Sequence, residues 1–398
     1  MPTPPLAGRV RALAPSATLA LTALARELKE RGEPVVSFGA GEPDVNTPEP
    51  VIEAACRALR EGKTKYTPSG GIRPLREAVA EYLHTRFGLA YAPEDVHISV
   101  GAKHALFNAF LAVLEPEEEV VLFSPYWVSY PEMVRLAGGK PVVVPTSPER
   151  GFLPEREAFT AALTPRTRAV LLNTPNNPTG AVYPETVLRQ LGEVLAGRDV
   201  WVIADEIYAE LVYEGAHVPF PRAVPELADR TLLIGGFSKS FAMTGWRLGF
   251  AAGPRELVRA LDNLASQSVS CPTSFVQYAG VAALREALGE VERLRQLFAS
   301  RRAKMLAALA EVPGVRFAPP GGAFYVFLDV SPLLEAGGFS DADALARALL
   351  EEEKVVVVPG TSFGAPEFVR LSYAMGEEEM LEGIARLAAF ARRRVMSA

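Results

Sequence analysis

Val200-Trp201-Val202-Ile203-Ala204-Asp205-Glu206-Ile207-Tyr208 is the stretch that decides the fold. Its first five residues are all apolar, so it reads as a strand covered on both faces rather than one with a wet side. It then breaks into two acids and a tyrosine. Outward from it the same pattern recurs at Val120-Val121-Leu122-Phe123, Ala169-Val170-Leu171-Leu172, Leu232-Leu233-Ile234 and Leu248-Gly249-Phe250-Ala251. Short apolar strands separated by helix-length spacers indicate an α/β fold with a parallel or mostly parallel sheet. Residues 49–290 are expected to form this large domain. From about residue 291 the register changes to a long charged helix through Arg302 and Lys304, a strand Phe324 to Leu328, a helix near Ala342 to Glu352, a strand Val355 to Val358 and an Arg-rich final helix. Residues 291–398 therefore read as a smaller α+β domain, and residues 1–48 are expected to pack with it.

The N-terminal run from Leu13 to Ala25 ends in an Ala-x-Ala step and superficially fits a secretory signal. A helix capped by Ser16 accounts for it better, with Leu21, Leu24 and Leu28 on one face and Gly32 as the stop. No run approaches the ~18 consecutive apolar residues of a membrane span. The expected location is the cytoplasm. Among 398 residues, 49% are apolar and 22% charged, and the formal net charge is −6. That charge provides no field favouring nucleic acid or an anionic membrane. Cys56 and Cys271 stand far apart, which excludes a disulfide framework and a Cys-rich zinc site.

Two motifs fail on inspection. Gly39-Ala40-Gly41 starts like a dinucleotide fingerprint, but Asp44 stands where the third Gly belongs. Gly360-Thr361-Ser362-Phe363-Gly364 matches G-x-S-x-G, yet all four histidines, His84, His97, His104 and His217, precede it, whereas a hydrolase of that type needs its His after the Ser. Those histidines also lack ligand spacing, so no metal is expected.

The chemistry gathers elsewhere. Asn173-Thr174-Pro175-Asn176-Asn177-Pro178-Thr179-Gly180 ends one strand, Asp205-Glu206-Ile207-Tyr208 the next, and Ser238-Lys239 a third, with Arg247 soon after. Ligands of open α/β sheets bind outside the carboxyl ends of the strands, so these tips can converge on one crevice. Of the eight lysines, six lie in polar turns or on helix faces, leaving Lys239 and Lys103. A lysine at an apolar strand end can form a Schiff base, and a carboxylate paired with a pyridine nitrogen keeps that ring protonated as an electron sink. This combination describes pyridoxal phosphate chemistry.

Ser238-Lys239-Ser240-Phe241-Ala242-Met243-Thr244-Gly245-Trp246-Arg247-Leu248-Gly249 closely resembles the cofactor-lysine signature of class I aminotransferases, pyridoxal phosphate enzymes of fold type I. Ordered matches run along essentially the whole chain: Pro15-Ser16-Ala17-Thr18, Gly41-Glu42-Pro43-Asp44, Lys65-Tyr66-Thr67-Pro68, Gly101-Ala102-Lys103, Tyr126 to Pro131, Asn176 to Gly180 and Val369 to Tyr373. Within the class the chain is most similar to bacterial aspartate aminotransferases. The resemblance implies a seven-stranded, mostly parallel sheet between helices. It makes Lys239 the Schiff-base lysine and proton shuttle, with Asp205 on the pyridine nitrogen, Tyr208 and Asn177 on the ring oxygen, and Trp127 stacked on the ring. The phosphate would sit on Gly101-Ala102-Lys103 at a helix start with Ser238 and Arg247 beside it. Gly41, Asn177 and Arg370 would receive the substrate α-carboxylate, with Trp127 also lining the substrate side, and Lys103 the distal carboxylate of aspartate. Tyr66 would reach a phosphate in a neighbouring subunit, implying a homodimer with shared sites.

One departure stands out: Gly236 occupies the position where many relatives carry Ser, so one phosphate hydroxyl is lost. The implied partners are small amino and 2-oxo acids. Rival readings are an aminotransferase for alanine, aromatic or prephenate-type substrates, a β-lyase, and an aminotransferase-like ligand sensor. Ala14, where some relatives carry a basic residue, speaks against prephenate, and the absence of a DNA-binding extension speaks against the sensor.

Overall fold

The computed structural model describes residues 4–13 and 17–395. Ala14, Pro15 and Ser16, the expected helix cap among them, lie outside the described residues. The first strand, β1 (Val36–Ser37), follows a helix Ala17–Glu30. That helix buries Ala25, flanked by the partly buried Leu21 and Leu28, against Val35 and Val356. Leu24 points to solvent, so the packed seam is Leu21, Ala25 and Leu28 rather than the three leucines read from the sequence. The 4- then 3-residue steps from Leu21 to Ala25 to Leu28 keep that seam on one face of the helix.

Seven strands form the large sheet: β2 (Val96–Ser99), β3 (Glu119–Ser124), β4 (Lys140–Pro145), β5 (Thr167–Asn173), β6 (Trp201–Asp205), β7 (Thr231–Gly236) and β8 (Gly249–Ala252). Their spatial order is β2-β8-β7-β6-β5-β3-β4. β4, β3, β5, β6 and β7 run parallel, and β8 is antiparallel to both its neighbours. Period-two alternation makes the apolar runs serve both faces. Val121, Val170 and Val202 lie abreast and pack with Phe159, Leu188 and Leu191, while Leu122, Leu171 and Ile203 pack on the opposite face with Leu106, Phe110 and Tyr130. Each such side chain removed from water contributes roughly 1.5 to 3 kcal/mol.

The topology concentrates the strand tips. After β3 the chain runs outward to β4 and then returns to β5 on the other side, so the strand order reverses between β3 and β5. A crevice opens at such a switch point, outside the carboxyl ends. Asn173 and Asp205 stand abreast at that edge. Because β8 is antiparallel, its first residue Gly249 lies at the same edge, opposite Gly236 on β7 and Ser99 on β2.

Beyond the long helix Leu288–Leu309 come β9 (Arg316–Phe317), β10 (Tyr325–Asp329), β11 (Val355–Val356), β12 (Val358–Pro359) and β13 (Phe368–Ser372). The expected single strand Val355 to Val358 is two strands. β11 pairs in parallel with β1, whereas β12 joins the antiparallel sheet β12-β13-β10-β9. The N-terminal segment thus hydrogen-bonds to the C-terminal third of the chain. Asp44 adds a bidentate ion pair with Arg301 at 2.7 and 2.9 Å, and Arg386 donates to the Pro34 carbonyl at 2.6 Å. Among the described residues no helix is long and apolar enough to cross a membrane.

Candidate active site

A cleft of about 340 Å³ opens at the carboxyl edge of the large sheet. It brings together Gly41, Ala102, Lys103, Trp127, Asn177, Asp205, Tyr208, Ser238, Lys239, Arg247 and Arg370, so eleven of the thirteen expected site residues line one space. Gly101 caps the helix Ala102–Val113 just behind Ala102. Tyr66 does not reach the cleft and is 88% exposed.

Asp205 ends β6 and is buried. Burial pushes its carboxyl up to about 6, against the lowering effect of two hydrogen bonds. Tyr130 donates its hydroxyl to Oδ2 at 2.7 Å, and the Ile207 N–H donates to Oδ1 at 3.2 Å. Those donors fix the plane of the carboxylate. Asn173 anchors the same corner, donating to the Asp205 carbonyl at 3.0 Å and accepting from the Asn177 N–H at 3.0 Å.

Lys239 follows β7 and donates from Nζ to the Gly41 carbonyl. Desolvation lowers its ammonium to about 8, with Glu42 opposing that shift and Arg370 and Arg247 reinforcing it. An amine near 8 supplies a usable neutral fraction at physiological pH, as a nucleophile or general base requires.

An anion cradle lies beside it. Gly101 has φ +76°, and a Cβ placed there would stand 2.5 Å from Arg247 Nη2. A Cβ at Gly249 would stand 2.5 Å from the Ala102 nitrogen. Both positions need glycine so that the helix start, whose first N–H groups have no intrahelical partner, can lie against β8 and Arg247. Gly236 is tight as well, with Ile207 Cδ1 3.1 Å and Gly249 Cα 3.2 Å from an added Cβ.

Arg370 arrives from the other sheet, on β13, and is 1% exposed. Nη1 donates to Asn177 Oδ1 at 3.0 Å and Nη2 to the Gly39 carbonyl at 3.1 Å, while Nε is buried without a partner. A buried guanidinium with an unused donor is poised for an anion. Lys103 Nζ lies 4.6 Å from the Trp127 ring centroid, its ammonium lowered by burial and by Arg247.

The structure adds roles that the sequence did not assign. Tyr130 and Asn173 support Asp205, Thr244 donates to Glu42 Oε2 at 2.6 Å at the cleft mouth, and the Tyr325 hydroxyl lies 2.9 Å from that of Tyr208. Tyr325 sits among apolar neighbours that read as core and Tyr130 within the matched stretch Tyr126 to Pro131, and only the fold turns their hydroxyls inward.

The donor set fits pyridoxal phosphate. It offers an anion cradle, a desolvated amine, a buried carboxylate for a ring nitrogen and an indole for the ring face. Residues 33–387 match the family described as aminotransferase class I and II. The chain is 46% identical to an aspartate aminotransferase of Bacillus subtilis over 97% of its length and 98% of that protein. It is 47% identical to an aspartate/prephenate aminotransferase of Thermus thermophilus, covering 96% and 98%. The solved aspartate aminotransferase from Thermus thermophilus with maleate superposes with a TM-score of 0.93 at 46% identity, over 97% of this chain and all of that one. That similarity and a cleft suited to the cofactor agree, and the chain belongs to the class I and II aminotransferase family, whose members transfer amino groups with pyridoxal phosphate.

Proposed function

We propose that this chain is an aspartate aminotransferase, moving the amino group of L-aspartate to 2-oxoglutarate to give oxaloacetate and L-glutamate in two half-reactions. The observation that carries this reading is the meeting, in one cleft, of the desolvated Lys239 amine and buried Asp205 with two cations, Arg370 and Lys103, suited to the two carboxylates of aspartate. Relatives named aspartate aminotransferase support it.

Bound pyridoxal phosphate supplies the electrophilic carbon and the electron sink. Asp205, held by Tyr130 and the Ile207 N–H, would keep a proton on the ring nitrogen. Tyr208 and Asn177 would donate to the ring oxygen, and Trp127 would cover a ring face. The first N–H groups of the helix Ala102–Val113, that of Lys103 among them, hold the phosphate with Ser238 and Arg247. Arg370, with Asn177 and Gly41, orients the α-carboxylate, and Lys239 Nζ removes the proton from substrate Cα. Lys103 serves the distal carboxylate. We also read residues 49–290 as a large domain, with 291–398 and the N-terminal 48 residues as the smaller one, and the working unit as a cytoplasmic homodimer in which Tyr66 serves the partner's site.

An amino-donor panel with 2-oxoglutarate tests the assignment, with aspartate expected to lead. Several relatives carry names that include prephenate, so prephenate belongs among the acceptors. A panel led by alanine or phenylalanine would refute the dicarboxylate reading.

A further inference from the structure

Tyr325 opens β10 and is completely buried, yet its ring and its hydroxyl serve different partners. The Arg370 guanidinium carbon lies 4.4 Å from the ring centroid. The hydroxyl meets the Tyr208 hydroxyl at 2.9 Å, and a Cβ added to Gly41 would stand 3.6 Å from it. Aromatic neighbours pack against the ring. Tyr208 meets it edge to face at 5.9 Å and 82°, and Phe324 lies 4.7 Å away. Tyr208 belongs to the turn after β6 in the large sheet, and Arg370 to β13 in the small one. One rigid side chain therefore touches both.

We propose that Tyr325 is a positioning residue with two separable duties: its ring orients Arg370 for the substrate α-carboxylate, and its hydroxyl sets how strongly Tyr208 hydrogen-bonds to the cofactor ring oxygen. This rests on the roles given to Arg370 and Tyr208 in the function proposed above. The first duty follows from the guanidinium's surroundings. Two of its donors are spent on Asn177 and Gly39, Nε has no partner, and its carbon lies 4.4 Å from the Tyr325 ring centroid and 5.3 Å from that of Phe363, so aromatic contact holds it without consuming a donor. The second follows from hydrogen-bond polarisation. When Tyr208 donates to the ring oxygen it can accept from Tyr325, and an O–H donor behind it strengthens the bond it gives. Because both duties share one ring, a carboxylate arriving at Arg370 is coupled to the charge on the ring oxygen.

Two variants separate the duties, each read by the pH of the bound cofactor's colour transition and by calorimetric maleate binding to the cofactor-free protein. Tyr325→Phe keeps the aromatic face and loses the hydroxyl. Its colour transition should rise by about 0.3 to 0.5 pH unit, with maleate affinity within about twofold of wild type. Tyr325→Leu loses both. It should show the same upward move and maleate binding about five- to tenfold weaker. Tyr325→Met, which keeps the bulk without an aromatic face, replaces it if the Leu variant does not fold. Equal weakening of maleate by both variants, or a colour transition unmoved in both, would overturn the proposal. A wild-type protein that forms no coloured adduct with added pyridoxal phosphate would instead overturn the proposed function, and this inference with it.

Discussion

Asp205 and Lys239 are held against their own solvation, and that has a measurable cost when no cofactor neutralises them. The Asp205 carboxyl lies at about 6 in the fold against 3.8 for the free group, so folding favours its protonated form. Its penalty is absent below pH 3.8, builds up to about 6 and is complete above that. Lys239, lowered from 10.5 to about 8, behaves in the opposite sense, with its full penalty below 8 and none above 10.5. Both apply in full between about 6 and 8. The Asp205 part corresponds to roughly 3 kcal/mol at 1.36 kcal/mol per pH unit. Cofactor-free Asp205→Asn should therefore melt higher than wild type at pH 7 and lose that advantage by pH 4, while amino transfer collapses. Thermal melts at the two pH values check this, and an advantage that persists at pH 4 contradicts it. Lys103 gives the second prediction. If it holds the distal carboxylate, Lys103→Ala lowers kcat/KM for aspartate more than about tenfold and leaves alanine nearly unchanged, since truncating one member of a charge pair is costly only where the other is present. A parallel fall for every donor would assign Lys103 to the cofactor phosphate.

The elements explain why those residues meet. Strand tips carrying Asn173, Asp205 and Lys239 were legible because continuous apolar runs end abruptly in polar residues, and parallel pairing then places the tips along one edge. What could not be read was the approach between elements. Gly249 looks like any glycine in a strand, yet it admits the helix that starts at Ala102, since a Cβ there would lie 2.5 Å from the Ala102 nitrogen and 2.6 Å from the Gly101 carbonyl carbon. Gly249→Ala should force the helix start away from β8. Overpacking of this kind costs about 1 to 3 kcal/mol, and cofactor affinity should fall by about tenfold or more. Titration of the cofactor-free protein by absorbance measures it, and unchanged affinity would mean that the helix start does not hold the phosphate. The roles of Tyr130 and Tyr325 escaped notice for a related reason. Their hydroxyls point out of apolar segments, and only three-dimensional packing shows that each ends on a group in the cleft.

Across the whole molecule the segment from Phe38 to Thr47 ties the parts together. The Phe38 carbonyl accepts from the Ser372 N–H, Gly39 from Arg370, Gly41 from Lys239, and Asp44 holds Arg301, while Thr47 donates to the Ala242 carbonyl. Sequence motifs marked Gly41 but could not show that one short segment touches both the lysine and the arginine. Tyr66, exposed in the single chain, is expected to be covered in a dimer. Mixing Tyr66→Ala chains with Lys239→Ala chains should restore one native site per hybrid dimer and recover cofactor affinity in that site. Equilibrium sedimentation showing a fully active monomer would contradict the shared-site assembly. That Lys239 carries the cofactor in this cleft can be read from borohydride reduction of the loaded protein followed by peptide mapping. A single labelled peptide with the cofactor fixed on Lys239 is expected, and label on Lys103 or any other lysine would contradict the assignment.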